Sequence, residues 1–350
     1  MVETGGAPLR AAVVGTGLIG GSILLRLHRA GLPVSGWDPD PATRAEGRRQ
    51  GLTFPDELAD AVRDRDVVFL GAPLAALPEM LARIGAGTGA DCVLTDVGST
   101  KSAVAAAATA HGLAHRFVPG HPMAGAERAG LVSAVPDLFA GAAWVLCPTA
   151  ETLPGPFRKL AALIVDVFGA RIVPMSPTVH DSVVALASHV PHLLAGGLAG
   201  ATAGSPVRDA VLGLAAGSFR DGTRVAGTPA KRTVDMLLSN RAEVLAQLAG
   251  VTAFLDGLTA ALRSADGDRL LAYYRRAQAL RASLPERRFT RSRRSFPLAG
   301  PLDEELRFLL ELGAAGGHLT GCEVRDATVT YLVHRPDDDE PGGDGVAPLG

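Results

Sequence analysis

Short apolar runs alternate with helical stretches through the first half of the chain. Residues 9–14 (LRAAVV) read as a buried strand, followed by a Gly-rich turn and a helix that continues to about Arg29. Residues 34–37 predict a second strand, and 66–70 (DVVFL) a third, entered from a helix-like stretch at 56–64. Further apolar runs stand at 92–95, 116–118, 143–147 and 171–173. Strands separated in this way by helices build a mostly parallel sheet with helices on both faces. Residues 1–176 are therefore expected to form one α/β domain.

The texture changes at Pro177. Ala/Leu/Val-rich helical stretches continue to about Leu284 without strand signals, which predicts an all-helical domain over 177–285. Its apolar positions fall on more than one stripe, as in 183–186, 193–198 and 244–258. That exceeds what packing on one α/β domain would cover, so the helical domain is expected to make a homodimer. Residues 286–295 (ERRFTRSRRS) read as a basic linker, and 296–335 as a small strand–helix–strand–strand unit that gives the chain a short α+β C-terminal segment. The stretch 336–350 (PDDDEPGGDGVAPLG) is acidic and rich in Pro and Gly, the composition of a disordered tail.

Composition narrows the classes of function. The 350 residues are 47% hydrophobic, enough for a large core, and the formal net charge of −2 offers no general attraction for nucleic acid or acidic membranes. Cys92, Cys147 and Cys322 are widely spaced, which suits a reducing compartment and presents neither a disulfide framework nor a metal site. The N-terminal MVETGGAPLR does not read as a signal peptide. The most membrane-like stretch, 183–203, carries His189, Pro191, His192 and several glycines, and reads as part of a buried helix pair. A cytoplasmic protein is expected.

The first chemistry lies in VVGTGLIGGS, where Gly15, Gly17 and Gly20 form GxGxxG between a strand and a helix. The first glycine permits the tight turn, the second lets backbone approach a pyrophosphate, and the third lets helix and strand pack closely. Leu18 and Ile19 open the helix whose N-terminal N–H groups would face the phosphates. Asp38 ends the second strand about twenty residues on, where a carboxylate accepts hydrogen bonds from ribose hydroxyls. This is a Rossmann-type dinucleotide-binding pattern. Asp38 favours NAD, while the nearby Arg44 keeps NADP open as the alternative.

Four further stretches stand out: TDVGSTKS (95–102), GHPMAGAERAG (120–130), ASHVPH (187–192) and GSFRDGTRVAG (217–227). The first two follow strand-like runs, and ligands bind at the carboxyl ends of strands in open α/β sheets. His121 is thus a candidate to take a proton from an alcohol as hydride leaves, with Ser99 on the neighbouring loop. A loop-ordering histidine is the plainer alternative. His189 and His192 share one helix face, with Pro191 expected to kink the helix between them; satisfied interhelical histidines are their plainer reading. Arg220 and Arg224 lie in a Gly-bounded loop, where an arginine fork could grip a carboxylate.

In this order, GTGLIGGS, TDVGSTK, GHPMAGAE, His180-Asp181, SHVPH, FRDGTR and Asn240-Arg241 resemble the prephenate/arogenate dehydrogenases of tyrosine biosynthesis across roughly residues 10–285. The resemblance implies NAD-dependent oxidative decarboxylation: hydride leaves ring C4, the ring carboxylate departs as CO₂, and the ring becomes aromatic. It implies that His121 takes the C4-hydroxyl proton and that Ser99 orients the imidazole beside the nicotinamide. Arg224 would hold a substrate carboxylate, His192 would sit near the side-chain end with His189, Glu127 would control access, and Gly217 would join the substrate-binding set. Lys101 would be structural.

The sequence departs from the family pattern at Thr233, where a tryptophan is usual. The 296–335 segment stands where some relatives carry an ACT-type regulatory domain, but it is short for one. Prephenate is the expected substrate; arogenate and 4-amino-4-deoxyprephenate are the enzyme alternatives. A nucleotide-sensing binding protein is the alternative outside enzymes, and it would have no use for both Ser99 and His121.

Overall fold

The computed structural model describes residues 3–4, 7–125 and 128–337. A short ladder, β1 (Glu3–Thr4) with β2 (Ala7–Pro8), precedes two sheets. The strands of the first are β3 (Ala11–Val14), β4 (Val34–Trp37), β5 (Val67–Leu70), β6 (Val93–Asp96) and β7 (Phe117–Val118). They lie wholly parallel in the order β4-β3-β5-β6-β7. Every residue of β3, β5 and β6 is buried, as expected of strands covered on both faces. The connections are made by α1 (Leu18–Arg29), α2 (Pro41–Arg49), α3 (Leu58–Val62), α4 (Leu77–Gly87) and α5 (Ser102–Ala110). Alternate strand residues enter opposite cores: Val13 and Phe69 pack with Ile23 and Leu27 of α1, Val14 and Leu70 with Leu81 and Ile84 of α4.

The second sheet corrects the expectation of a single one. β8 (Gly120–Pro122), β9 (Ala143–Leu146) and β10 (Arg171–Pro174) do not join β7; β8 turns back antiparallel to β9, and β10 lies parallel to β9 across α6 (Pro156–Leu163). Apolar runs specify burial in a sheet, not which sheet.

The helical region begins with α7 (Pro177–Val184), which passes through a π-helical turn, Ala185–His189, into α8 (Val190–Ala203). Pro191, at the start of α8, has no N–H to donate, and the widened turn just before it absorbs the mismatch. Then come α9 (Arg208–Leu214), α10 (Gly217–Thr223), a 3₁₀ turn at Arg224–Gly227, α11 (Ala230–Ser239), α12 (Arg241–Arg263) and α13 (Gly267–Glu286). Pro177–Ala203 and Arg241–Arg263 are long and apolar enough to cross a membrane by length and composition alone. Leu186, Leu194, Leu198, Leu238, Leu245 and Leu255 are all exposed within one chain.

The expected basic linker is mostly strand. β11 (Phe289–Pro297) pairs along its whole length with β13 (Thr328–Pro336), and β12 (His318–Arg325) lies between β13 and β10. With α14 (Leu302–Ala314) packed on β10, the C-terminal strands extend the second sheet in the order β11-β13-β12-β10-β9-β8 and do not form a separate unit. Arg291, Arg293 and Arg294 disguised the strand, because a charged edge strand carries the composition of a linker. The expected tail overlaps β13 at Pro336, and residues 338–350 lie outside the described ones.

Candidate active site

The glycine loop has the shape a dinucleotide needs. Gly15 takes φ +86°, and a Cβ there would come within 2.6 Å of Gly71 carbonyl carbon. A Cβ on Gly20 would strike the Gly15 carbonyl oxygen, whereas one on Gly17 would meet nothing within 4 Å. The tight positions thus face protein and the open one faces the approach to α1. Among the described residues no side chain caps that helix, so its first N–H groups are available to an anion. Leu18 is buried and Ile19 packs beside the core, so both hold the loop from beneath.

Asp38 stands at the end of β4. One carboxylate oxygen accepts the Thr16 N–H at 2.8 Å and hydroxyl at 3.3 Å, and the other accepts the Asp40 N–H at 3.1 Å. Arg44 donates to the carbonyl oxygens of Asp38 and Pro39 at 2.7 and 3.2 Å. The arginine expected as a rival phosphate partner is therefore tied to the backbone. These residues fit a dinucleotide with an unmodified ribose.

Behind the second loop a buried clamp positions His121. Asp96 ends β6 and pairs with the Lys101 ammonium, both fully buried. Lys101 Nζ also donates to the Gly120 carbonyl at 2.8 Å, while Asp96 Oδ1 accepts the Gly120 N–H at 3.2 Å. The pair therefore holds both polar groups of the residue immediately before His121. Gly120 has no room for a side chain, since a Cβ would meet Asp96 O and Thr95 Oγ1 at 2.9 Å. His121 on β8 is then presented just past the carboxyl end of the parallel sheet, partly exposed, beside the loop carrying Ser99.

The imidazole is not oriented as expected. Among the described residues Ser99 makes no hydrogen bond to it, and His121 Nδ1 instead lies 2.9 Å from Nε2 of the fully buried His180 on α7. His180 Nδ1 lies 2.8 Å from Asp181 Oδ1. Asp181 also accepts the Lys101 N–H at 2.7 Å and the Ser102 N–H at 2.8 Å, so it caps the N-terminus of α5 from another helix. Burial raises the Asp181 pKa, but the hydrogen bonds from His180, Ser102 and Lys101 prevail and hold it at about 2. Burial lowers His121 well below the usual imidazole range, reinforced by His180, Lys101 and His189. His180 is lowered by burial too, against the pull of Asp181.

His189 and His192 part company. His189 is 1% exposed, its Nδ1 lies 3.2 Å from Asn240 Nδ2, and burial lowers its pKa to about 4. Asn240 also donates to the Asp181 carbonyl at 2.7 Å, so His189 and Asn240 knit α7, the π turn and α12 together. This corrects the expectation of His189 as a substrate contact: its burial leaves no surface to offer. His192 is partly exposed, with Nδ1 donating to the Ser188 carbonyl at 2.9 Å and Nε2 at 3.5 Å from Thr228 Oγ1. Gly217 opens α10, and Arg224 opens the following 3₁₀ turn, exposed. Glu127 lies outside the described residues.

Sequence reading passed over His180, Asp181 and Asn240 as parts of a pattern without roles. Two titratable residues side by side at the head of an apolar helix were the available signal, since such groups are seldom buried without partners.

The family descriptions for the prephenate dehydrogenase nucleotide-binding domain and dimerization domain match residues 23–174 and 176–276. The cyclohexadienyl dehydrogenase of Zymomonas mobilis is 35% identical over 280 residues, covering 78% of this chain and 95% of that protein. The prephenate dehydrogenase of Bacillus subtilis is 31% identical over 284 residues, with 79% and 76% covered. Among solved structures, a prephenate dehydrogenase of A. aeolicus in complex with hydroxyphenyl propionate and NAD+ superposes with TM-score 0.71 at 26% identity, covering 80% of this chain and all of that one. The Synechocystis arogenate dehydrogenase does so with TM-score 0.70 at 28% identity, covering 79% and 99%. Matched domains over most of its length, and curated relatives aligned over three quarters or more of theirs, establish that the chain belongs to the prephenate dehydrogenase family.

Proposed function

We propose that this chain oxidises and decarboxylates prephenate with NAD+, working as a homodimer in the cytoplasm. The observation that carries the reading is His121: a partly exposed imidazole at the carboxyl edge of the nucleotide-binding sheet, with the backbone of the preceding Gly120 clamped by Asp96 and Lys101. NAD+ held at the glycine loop would supply the hydride acceptor. His121 takes the proton of the ring C4 hydroxyl as hydride departs, and Ser99, partly exposed and without a hydrogen bond among the described residues, contacts the hydroxyl or the nicotinamide. Arg224 and His192 bind the carboxylates of the dianion, with Gly217 nearby, and Glu127 governs access. Aromatisation drives the reaction, so the protein's work is to position the substrate and to hold one proton.

Asp38, with Arg44 tied to backbone carbonyls, supports NAD over NADP. The exposed leucines on α8, α11 and α12 fall in the region matched by the dimerization domain, and a second copy would bury them. Three buried free thiols suit a reducing compartment. The test is side-by-side assay with prephenate and arogenate, following NADH at saturating NAD+. A higher kcat/KM for prephenate is expected; an excess for arogenate would overturn the substrate choice, and no NADH from either would overturn the activity.

A further inference from the structure

We infer that His180 and Asp181 form a two-residue relay behind His121 that fixes its tautomer, with Nδ1–H inward and a bare Nε2 outward. The same relay takes up positive charge when His121 gains a proton. The second part rests on the reading of His121 as proton acceptor; the first stands on geometry alone.

The chain of deduction starts at Asp181. Its two oxygens accept the Lys101 and Ser102 N–H groups at 2.7 and 2.8 Å, so the carboxylate is an acceptor on both sides. His180 Nδ1, 2.8 Å from Oδ1, therefore carries a hydrogen and donates it. His180 is fully buried, and a neutral ring with hydrogen on Nδ1 has a bare Nε2. That lone pair faces His121 Nδ1 at 2.9 Å, which must then be the donor. The two rings stand nearly perpendicular, at 76°, with centroids 5.1 Å apart. Neutral His121 with hydrogen on Nδ1 presents Nε2 as an acceptor, the form a base needs. The competing arrangement, a cationic His180 donating to His121, would bury a second positive charge near Lys101 and leave His121 with an outward N–H.

During the reaction the C4-hydroxyl proton bonds to His121 Nε2 as the O–H bond breaks. His121 then carries two N–H groups, and its Nδ1 proton can pass to His180 Nε2. The positive charge moves one ring closer to the Asp181 carboxylate, and no atom leaves the pair. The ionisable groups around the relay are Lys101 and Asp96 from the β6–α5 side, His189 from the π turn, and Asp181 itself; His192 bears on His189. His180 and Asp181 are thus positioning residues acting through His121.

The experiment uses the full-length protein. ¹⁵N-histidine NMR, with His121 assigned by difference from His121→Asn, should show protonated Nδ1 and bare Nε2 on His121 between pH 7 and 8. A hydrogen on Nε2, or a doubly protonated His180, overturns the relay. In kinetics, His180→Leu removes the acceptor and should lower kcat/KM by about 10²–10³ with NAD+ affinity unchanged. His180→Gln, whose Oε1 can accept from His121 Nδ1–H, should recover at least about tenfold of that loss, while the acid limb of its pH profile moves. Equal loss in both variants would mean His180 only packs, and no loss in either would remove it from the mechanism. Should His180→Leu fail to fold, the Gln variant and the NMR still decide. Full turnover in His121→Asn would sink the proposed base while leaving the tautomer measurement standing.

Discussion

Among the described residues, two pairs of a Lys or Arg with a carboxylate are sealed from water, and they end differently. Arg158 on α6 grips Glu305 on α14 through two guanidinium nitrogens, and Tyr331 on β13 donates its hydroxyl to Glu305 Oε1 at 2.6 Å. Each of the three side chains finds its partner within the cluster. Asp96 and Lys101 also pair without exposure, but their remaining side-chain bonds go to the peptide groups of Gly98 and Gly120, and the adjoining chain of Asp181 and His180 runs to a ring that is partly exposed. The first network is closed and fastens the C-terminal strands to α6. The second is open at one atom, His121 Nε2. Buried polar groups cost free energy unless paired, so a closed network holds elements together, and one left open is where chemistry can occur.

The comparison breaks most sharply at His121. His121→Asn should lower kcat by about 10²–10⁴ while NAD+ binding and Tm stay near wild type, measured by turnover, cofactor titration and calorimetry. The wild-type pH profile sharpens the point. His121 acts unprotonated and burial depresses its pKa, so kcat/KM should hold through neutrality and fall only below the ordinary imidazole range, near 6.5. That limb should vanish in the variant. A limb above pH 7 would contradict the lowered pKa of His121.

At the closed network the effect should reverse. Glu305→Ala strands Arg158 and the Tyr331 hydroxyl, and stability should fall by about 3–5 kcal/mol in urea denaturation. The kcat per folded molecule should scarcely change. Loss of activity with unaltered stability would mean that the C-terminal strands serve the site directly.

A smaller effect is expected on the cleft side of the open network. Arg224→Ala should raise KM for the dianionic substrate by roughly 10- to 100-fold, with kcat much less affected. If only Tm falls, Arg224 holds its turn and not the substrate.

Much of the fold was legible because its signals are local. The five parallel strands are short apolar runs buried on both faces, and GxGxxG with Asp38 needs only neighbouring backbone to make sense. His121 and Ser99 could be nominated by their place after strand-like runs. The orientation of His121 was misread, since Ser99 seemed its natural partner while His180 lies 59 positions away along the chain. β11 was misread for a related reason: its pairing with β13 comes from register, and its own composition advertises a linker.

By itself, then, the sequence determined the periodicities, the glycine turn, the acid at the end of β4 and the order of chemical motifs, because each depends on a few consecutive residues. Tertiary structure alone decided that β8, β9 and β10 begin a second sheet, that the C-terminal strands complete it, and which histidine of four faces which partner. His121, His180, His189 and His192 are alike as residues. Burial and the nearest donor or acceptor set their tautomers and charges, and those neighbours are assembled only when β8, α5, α7 and α12 meet.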